Sequence, residues 1–211
     1  MRMRLTERDL GILRALSLCV RVLSLEQVAR VWWSSDADAA RWRLRAFVDQ
    51  DLLLARRFLG VQLGPLPSPL AVWQPGVMRP DFGPIAWTLE TRWSAAPQRT
   101  VIYYAARRVS QLFGGVRTGR IARPFQVAHD LAVAEMFFAV CRRRIEVDRL
   151  WVDEDRLAPF RRGEKLPDAI LAPAPYALPS LVLELGGRYG KRRLQAFHRD
   201  CDIRGLAYEI W

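Results

Sequence analysis

The sequence predicts an α+β protein built from two dissimilar parts. Its first 58 residues show short helical apolar stripes, each opened by a capping residue, and then a strand-like run. From residue 125 the pattern changes to one long apolar helix followed by short apolar runs between turns. Basic residues are concentrated before that change. These observations favour a small basic helical part joined to a mixed part that contains a sheet.

The uneven charge is informative about partners. The 211 residues carry 33 Lys and Arg against 22 Asp and Glu, a formal net charge of +11. Residues 1–125 hold +10 of this excess, whereas residues 126–211 are nearly balanced at +1. A basic half is typical of a protein that faces a polyanion. The alternative explanation of the many arginines is a GC-rich genome, because only Lys165 and Lys191 are lysines.

Composition excludes several classes of protein. Hydrophobic residues make up 51% and charged residues 26%, which excludes a disordered chain. No run approaches the roughly 18 apolar residues of a membrane span, and we expect neither a signal peptide nor membrane binding. Three widely spaced cysteines form neither a disulfide framework nor a zinc pattern. We therefore expect a cytoplasmic protein.

The N-terminal elements predict a winged helix-turn-helix. Thr6 with Asp9 resembles a capping box that opens the first helix, and Ser24 opens the second. Ser34-Ser35-Asp36 forms a turn before a third helix from about Ala37 to Gln50. A strand over 52–58 follows. Helices, turn, helix and then the start of a hairpin is the order of that fold.

The third helix carries the candidate DNA contacts. Arg41 and Arg45 are four residues apart and share a face, where they can enter a major groove and bind guanine or phosphate. Arg43 lies to the side and is a candidate phosphate contact, as is Ser35 in the preceding turn. Trp42 is either a core residue, which we favour, or a wedge against DNA. The alternative for the arginines is an ordinary solvated helix face.

A second group of candidate contacts lies on the wing. Arg56 and Arg57 stand at the end of the predicted strand, where a wing would cross the DNA backbone. We expect both to contact phosphates.

The middle of the chain is irregular. Seven prolines between residues 59 and 100 predict no long helix, while Trp73, Trp87 and Trp93 argue against a disordered linker. This segment is interpreted either as an elaborated wing that packs on the first domain or as a bridge to the next. The predicted organisation is a winged helix-turn-helix domain over 1–115, a basic linker over 116–124 and a second domain over 125–211.

The second domain has a recognisable order of elements. Apolar periodicity and turn residues predict a helix, three strands, a helix and a last strand, α-β-β-β-α-β. The predicted bounds are Val127 to Arg144, Leu150 to Val152, Asp168 to Leu171, Ser180 to Leu185, Tyr189 to Cys201 and Ala207 to Trp211. The third strand is continuously apolar, which predicts a central position.

Two carboxylates mark the ends of neighbouring strands. Pro167-Asp168 opens one strand and Glu184 ends the next. With the element order, this resembles the PD-(D/E)-x-K nuclease fold, also called restriction-endonuclease-like. The resemblance implies that Asp168 and Glu184 hold Mg²⁺ and that a lysine two residues after the glutamate assists the attacking water. Here Gly186 takes the place of that lysine, and the candidate substitutes are Lys191, which we favour, and Arg192 on the following helix.

The whole chain resembles the replication-relaxation proteins of bacterial plasmids and mobile elements. The matching stretches are LTERDLGILRAL (5–16), LSLEQVARVWW (23–33), ARWRLRAFVDQDLL (40–53), HDLAVAEMFFAV (129–140), LPDAIL (166–171) and LVLELGGRYGKRRLQAF (181–197). The resemblance implies a winged helix joined to a nuclease-like domain that need not cut DNA. It also implies a role on DNA in replication, mobilisation or transcription control, in association with nucleoid or plasmid.

Three functions remain open at this stage. The first is a protein that binds double-stranded DNA, with no cofactor and a degenerate nuclease-like domain. The second is a Mg²⁺-dependent endonuclease that uses Asp168, Glu184 and a displaced Lys191. The third is a docking module whose C-terminal half binds a protein partner or a second copy of the chain.

Overall fold

A computed structural model of the chain describes residues 3–121, 126–161, 163 and 165–211. The chain forms two compact units. Unit 1 comprises Met1–Gly60 and Pro97–Ala134, and unit 2 comprises Val61–Ala96 and Glu135–Trp211. Both contain helices and a β-sheet, so the α+β class is confirmed.

The N-terminal helices of unit 1 begin at the predicted capping residues. Helix α1 (Glu7–Arg14) starts after Thr6, whose hydroxyl and backbone N–H form the capping box with Asp9, and it continues as a π-helical segment over Ala15–Cys19. Helix α2 (Leu25–Trp32) starts after Ser24, which forms the same arrangement with Gln27. Local hydrogen bonds thus determine where both helices begin.

A turn and a third helix follow. Helix α3 (Ala37–Asp49) starts after Asp36, whose carboxylate accepts hydrogen bonds from the backbone N–H groups of Asp38 and Ala39. Ser34 and Ser35 before it have φ values of 48° and 74°, in the left-handed region. The chain therefore turns sharply between α2 and α3, as the Ser-Ser-Asp sequence predicts.

Unit 1 also contains a three-stranded antiparallel sheet. Its strands are β1 (Leu23–Ser24), β2 (Leu53–Gly60) and β4 (Gln98–Ala105), in the order β1-β4-β2. The short helix α5 (Arg107–Leu112) follows β4. Ile102 of β4 packs with Val22 and with Val127 and Leu131 from the start of α6 (Val127–Arg143).

Unit 2 is built on a five-stranded mixed sheet. The strands are β3 (Ala71–Trp73), β5 (Trp151–Asp153), β6 (Ala169–Leu171), β7 (Leu181–Glu184) and β8 (Tyr208–Ile210). Their order is β3-β8-β7-β6-β5, with β7 and β8 parallel and the other pairs antiparallel. The helix α9 (Lys191–Ile203) makes the crossover between the parallel pair. The central position predicted for the third strand, β7, is confirmed.

Of the two interpretations of the segment 59–100, the structure contradicts the wing packed on the first domain. The segment contains β3 and an 11-residue helix, α4 (Phe82–Arg92), and both belong to unit 2. Pro84 does not prevent the helix because it stands in the first turn, where a missing N–H breaks no intrahelical bond. Trp73 and Leu89 are buried in the core of unit 2. An elaborated wing packed on the first domain is therefore not what this segment forms.

The observed units redraw the expected domain boundaries. The second unit includes 61–96, which the sequence analysis assigned to a first domain over 1–115, and the division near the other end falls inside α6. Of the expected linker 116–124, residues 122–124 lie outside the described residues, as does Phe125. Unit 1 then carries 17 basic against 8 acidic side chains, a net charge of +9, and unit 2 carries +2.

Two short helices complete the described elements of unit 2, α7 (Val147–Leu150) and α8 (Glu154–Leu157). Within the described ranges, no helix is long and apolar enough to cross a lipid bilayer.

Candidate functional site

The outward face of α3 carries two of the predicted DNA contacts. Ala40, Leu44 and Phe47 are fully buried, and Arg41 and Arg45 are exposed. Arg41 forms an ion pair with Asp38 one turn earlier, with 56% and 90% of the two side chains exposed. An exposed ion pair of this kind contributes little to stability. The Arg41 guanidinium can therefore leave the Asp38 carboxylate and bind a phosphate or a base instead.

Trp42 differs from its favoured interpretation as a core residue. It is 71% exposed. A step of two residues turns an α-helix by about 200°, so Trp42 lies opposite the line of Ala40 and Leu44 that faces the core. The indole therefore stands beside the two exposed arginines.

Arg43 also differs from its prediction as a phosphate contact. Its Nε donates to Asp9 Oδ1 at 2.9 Å, one of its terminal nitrogens pairs with Asp9 Oδ2, and the same group donates to the carbonyl of Arg4. The Asp9 side chain is 2% exposed and that of Arg43 is 16% exposed. This arginine joins α3 to α1 and is not presented to solvent for a ligand.

The Asp9–Arg43 pair is reflected in the ionisation of the carboxyl group. Burial favours its neutral form, but hydrogen bonds from Arg43 and from Thr6 outweigh burial and hold the pKa of Asp9 below its ordinary value. The same hydrogen bond raises the pKa of Arg43. Both groups are ionised at neutral pH.

Ser35 lies where the sequence analysis placed it. It is exposed in the turn before α3, and its backbone N–H donates to the carbonyl of Ala29.

Arg56 and Arg57 lie within β2, which extends beyond them to Gly60, and both are exposed. Arg56 is paired with Ile102 of β4 and Arg57 with Val101. Successive strand residues point to opposite faces, so these two arginines cannot serve one surface together. Val101 shares a face with Tyr103. Burial raises the pKa of the Tyr103 phenol, and the nearby positive charge of Arg41 on α3 opposes that rise. Arg57 therefore lies on the sheet face that adjoins α3.

In unit 2 the structure brings Asp168 and Glu184 to adjacent strand ends. Ala169 of β6 pairs with Leu183 of β7, so the next residues on the two strands are Asp168 and Glu184. Asp168 Oδ2 accepts a hydrogen bond from the backbone N–H of Leu185 at 2.7 Å. Glu184 is buried, and its Oε1 accepts a hydrogen bond from the Tyr189 hydroxyl at 3.0 Å.

The ammonium group near Glu184 belongs to Lys165 and not to the predicted Lys191. Lys165 Nζ lies 3.9 Å from Glu184 Oε1, whereas Lys191 is exposed at the first residue of α9. Sequence reasoning missed Lys165, although it stands only three residues before Asp168. Burial and the neighbouring charge of Glu184 raise the pKa of Tyr189, so its phenol keeps the proton that it donates.

Gly186 occupies the position of the lysine in the resembled nuclease pattern, and the fold explains the glycine. A Cβ at this position would lie 2.4 Å from Leu89 Cδ1 of α4, and Leu89 is fully buried. The Gly186 carbonyl also accepts a hydrogen bond from Trp93 Nε1 at 3.1 Å and one from Arg92. Helix α4 therefore occupies the space that a side chain at 186 would need.

Arg92 is a second cation near this end of the sheet. Besides Gly186, it donates to the carbonyl of Trp211 at 2.8 Å. Burial lowers its pKa to about 10, and the charge of Asp168 opposes that shift. The guanidinium remains charged at neutral pH and binds main-chain carbonyls at the ends of β7 and β8.

No group of three or more His, Cys, Asp or Glu side chains suited to a metal ion occurs within the described ranges.

Comparison of the chain with protein-family models, with curated proteins and with solved structures finds no match. The resemblance to replication-relaxation proteins therefore stays a prediction from the sequence.

Proposed function

We propose that the protein binds double-stranded DNA through α3 of unit 1, in a replication, mobilisation or transcription-control role. The observation that carries this proposal is the exposed face of α3, on which Arg41, Trp42 and Arg45 stand opposite a fully buried Ala40, Leu44 and Phe47. A helix anchored along one side and bearing arginines on the other is suited to a major groove.

Two further features support duplex DNA as the ligand. Within unit 1, the strand β2 comes directly after α3 and pairs antiparallel with β4, which supports the helix-then-sheet order of a winged helix, although residues 61–96 of unit 2 stand between the two strands. Unit 1 also carries the net charge of +9, which attracts a polyanion and favours non-specific association before sequence readout.

Selection from a pool of random duplexes, followed by fluorescence anisotropy with the selected sequence, tests the proposal. Arg41→Ala and Arg45→Ala should each weaken binding by about 1–3 kcal/mol where the guanidinium contacts a base. Arg149→Ala is the matched control, because Arg149 also forms an exposed i, i+3 ion pair but lies in unit 2. Unchanged affinity in both α3 variants would overturn the proposal.

For unit 2 we propose a nuclease-like unit that does not cut DNA. The α-β-β-β-α-β order and the position of Asp168 beside Glu184 support the fold. The proposed inactivity rests on Gly186, which stands where the resembled pattern has its lysine and where Leu89 leaves no room for a side chain. Asp168 and Glu184 each accept a hydrogen bond, from Leu185 N and from the Tyr189 hydroxyl, and Lys165 Nζ lies 3.9 Å from Glu184 Oε1. We propose that these contacts stabilise the strand ends.

The Mg²⁺-dependent endonuclease remains the competing function, with Asp168, Glu184 and a lysine as its active residues. One observation favours an endonuclease that uses Lys165 over one that uses Lys191. Lys165 Nζ already lies 3.9 Å from Glu184 Oε1. Binding of a protein partner or of a second copy through unit 2 also stays a prediction, which the mass of the protein in solution, measured by light scattering, would test.

A further inference from the structure

A pocket of about 320 Å³ opens in unit 2 beside α9 and β7. Its volume lies at the lower end of the range for small-molecule sites. Val182, Phe197 and Leu206 supply apolar walls. Among the described residues, six charged side chains also line it: Arg161, Lys165, Glu184, Arg193, Asp200 and Arg204.

The charged lining is set up for an anion. Among the described lining residues, four cations face two carboxylates, a net charge of +2. Lys165 lies 3.9 Å from Glu184, and Arg204 lies 3.4 Å from Asp200. No carboxylate in the described ranges forms an ion pair with the other two cations, Arg161 and Arg193. Two guanidinium groups are thus available to a ligand.

Arg193 is held in place by an aromatic ring. Its guanidinium carbon lies 3.6 Å from the centre of the Tyr189 ring, a cation–π contact. Stacking restricts a long side chain that would otherwise lose rotamer freedom on binding. The guanidinium edge still has its N–H donors for a phosphate, which it can bind in bidentate fashion.

The interior of the pocket suits an uncharged, partly apolar group. Burial raises the pKa of the Cys201 thiol to about 12, so this side chain is neutral at physiological pH and does not repel an anion. Phe197 is 7% exposed and contributes its ring to the lining, with Lys165 Nζ 5.4 Å from the ring centre. A ligand with a planar body is suited to contact with this ring.

We propose that this pocket binds a nucleoside phosphomonoester, with Arg161 and Arg193 on the phosphate and the nucleoside against Phe197. Two sources share this chemistry, a free nucleoside monophosphate and the 5′-phosphorylated end of a DNA strand. The site does not depend on DNA binding by α3, because every lining residue belongs to unit 2.

Isothermal titration calorimetry with the full chain tests the site. Nucleoside 5′-monophosphates should bind about tenfold or more tightly than the matching nucleosides, since each charge-assisted hydrogen bond to phosphate is strong. Inorganic phosphate should bind more weakly than the monophosphate, because it lacks the body that contacts Phe197. Short oligonucleotides with and without a 5′-phosphate, titrated into an Arg41→Ala, Arg45→Ala background, separate the two sources of phosphate.

Variants of the lining identify the pocket. Arg161→Ala and Arg193→Ala should each weaken monophosphate binding by about tenfold. Arg199→Ala is the matched control, because Arg199 is exposed on the same helix and does not line the pocket. Ala196→Leu places added volume in the lining and should weaken the nucleoside and the monophosphate alike. Thermal unfolding of each variant confirms that it is folded.

Several results would overturn the proposal. These are equal affinities for nucleoside and monophosphate, no heat of binding for either at millimolar concentration, or equal weakening by Arg199→Ala and Arg193→Ala. If Arg193→Ala fails to fold because Tyr189 loses its partner, an unchanged affinity in Arg161→Ala and Ala196→Leu would still reject the site. The pocket variants keep Arg41 and Arg45, so they should still bind duplex DNA through α3. Failure of the pocket proposal is therefore distinguishable from failure of the DNA-binding proposal.

Discussion

At the scale of single residues, neighbouring arginines on α3 have opposite roles. Arg43 pairs with a buried carboxylate on α1, while Arg45 extends into solvent. Arg43→Ala should lower the free energy of unfolding by about 3 kcal/mol, because it leaves a buried charge without its partner. Arg45→Ala should change stability by less than about 0.5 kcal/mol. Urea denaturation compares the two, and equal stability would contradict the structural role of Arg43.

The same pair predicts a dependence of stability on pH. The pKa of Asp9 is below 3.8 in the folded chain and close to 3.8 in the unfolded chain, so between these values the unfolded chain binds more protons. Stability therefore rises with pH in this range, and the contribution of Asp9 is complete above it. Denaturation at a series of pH values should show wild type losing its advantage over Asp9→Asn as the pH falls below 3.8. A constant difference down to pH 2 would contradict this.

Gly186 stands at a position where packing leaves no room for a side chain. Gly186→Ala should destabilise the protein by about 1–3 kcal/mol, because the added methyl group overlaps the buried Leu89. Gly64→Ala is the control, since nothing lies within 4 Å of a Cβ there and its φ is not in the left-handed region. If the two variants unfold at the same denaturant concentration, α4 does not exclude a side chain at position 186.

At the scale of elements, the pairing register of β2 determines which of two adjacent arginines lies on the same side of the sheet as α3 and can contact DNA together with it. Arg57 lies on the same sheet face as Tyr103, the face that adjoins α3, and Arg56 lies on the opposite face. Arg57→Ala should reduce the slope of log K against log salt by about 0.9, the effect of one lost phosphate contact. Arg56→Ala should leave it unchanged. A change in slope with Arg56→Ala alone would place the DNA on the other face of the sheet.

At the scale of the whole molecule, the two units are predicted to differ in what they do with DNA. The protein should bind duplex DNA and leave it uncut in Mg²⁺ or Mn²⁺, because α4 excludes a lysine from position 186. Incubation with duplex, single-stranded and branched DNA measures this. Cutting that disappears in both Asp168→Ala and Glu184→Ala would establish the endonuclease instead. Lys165→Ala and Lys191→Ala would then show which lysine it uses.

Much of the local structure could be predicted from residue patterns. Thr6, Ser24 and Asp36 begin their helices as expected, because a side-chain oxygen bonds backbone N–H groups two or three residues away. The strand ends at Asp168 and Glu184 are also where the sequence places them, since short apolar runs define both strands. These signals are local, and the residues that produce them are close in sequence.

Other features follow from long-range packing. Arg43 resembles its exposed neighbours by sequence, and only the approach of α1 gives it Asp9 as a partner, 34 residues away. The prolines of 59–100 hide the patterns of β3 and α4 from a reading of the sequence. These elements form because β3 pairs with β8 and because residues of both pack in the core of unit 2. Lys165 reaches Glu184 because β6 and β7 are paired.

The sequence by itself determined the class, the helix starts, the α3 arginines and the two carboxylates, because these depend on periodicity and on neighbours within a few residues. The tertiary structure alone decided that residues 61–96 belong with the second unit, that Gly186 has no room for a side chain, and that Arg57 shares a sheet face with Tyr103 while Arg56 does not. Each of these depends on which distant segments pack or pair together. Pairing and packing of that kind are set by the global balance of burial and chain entropy, which no local pattern records.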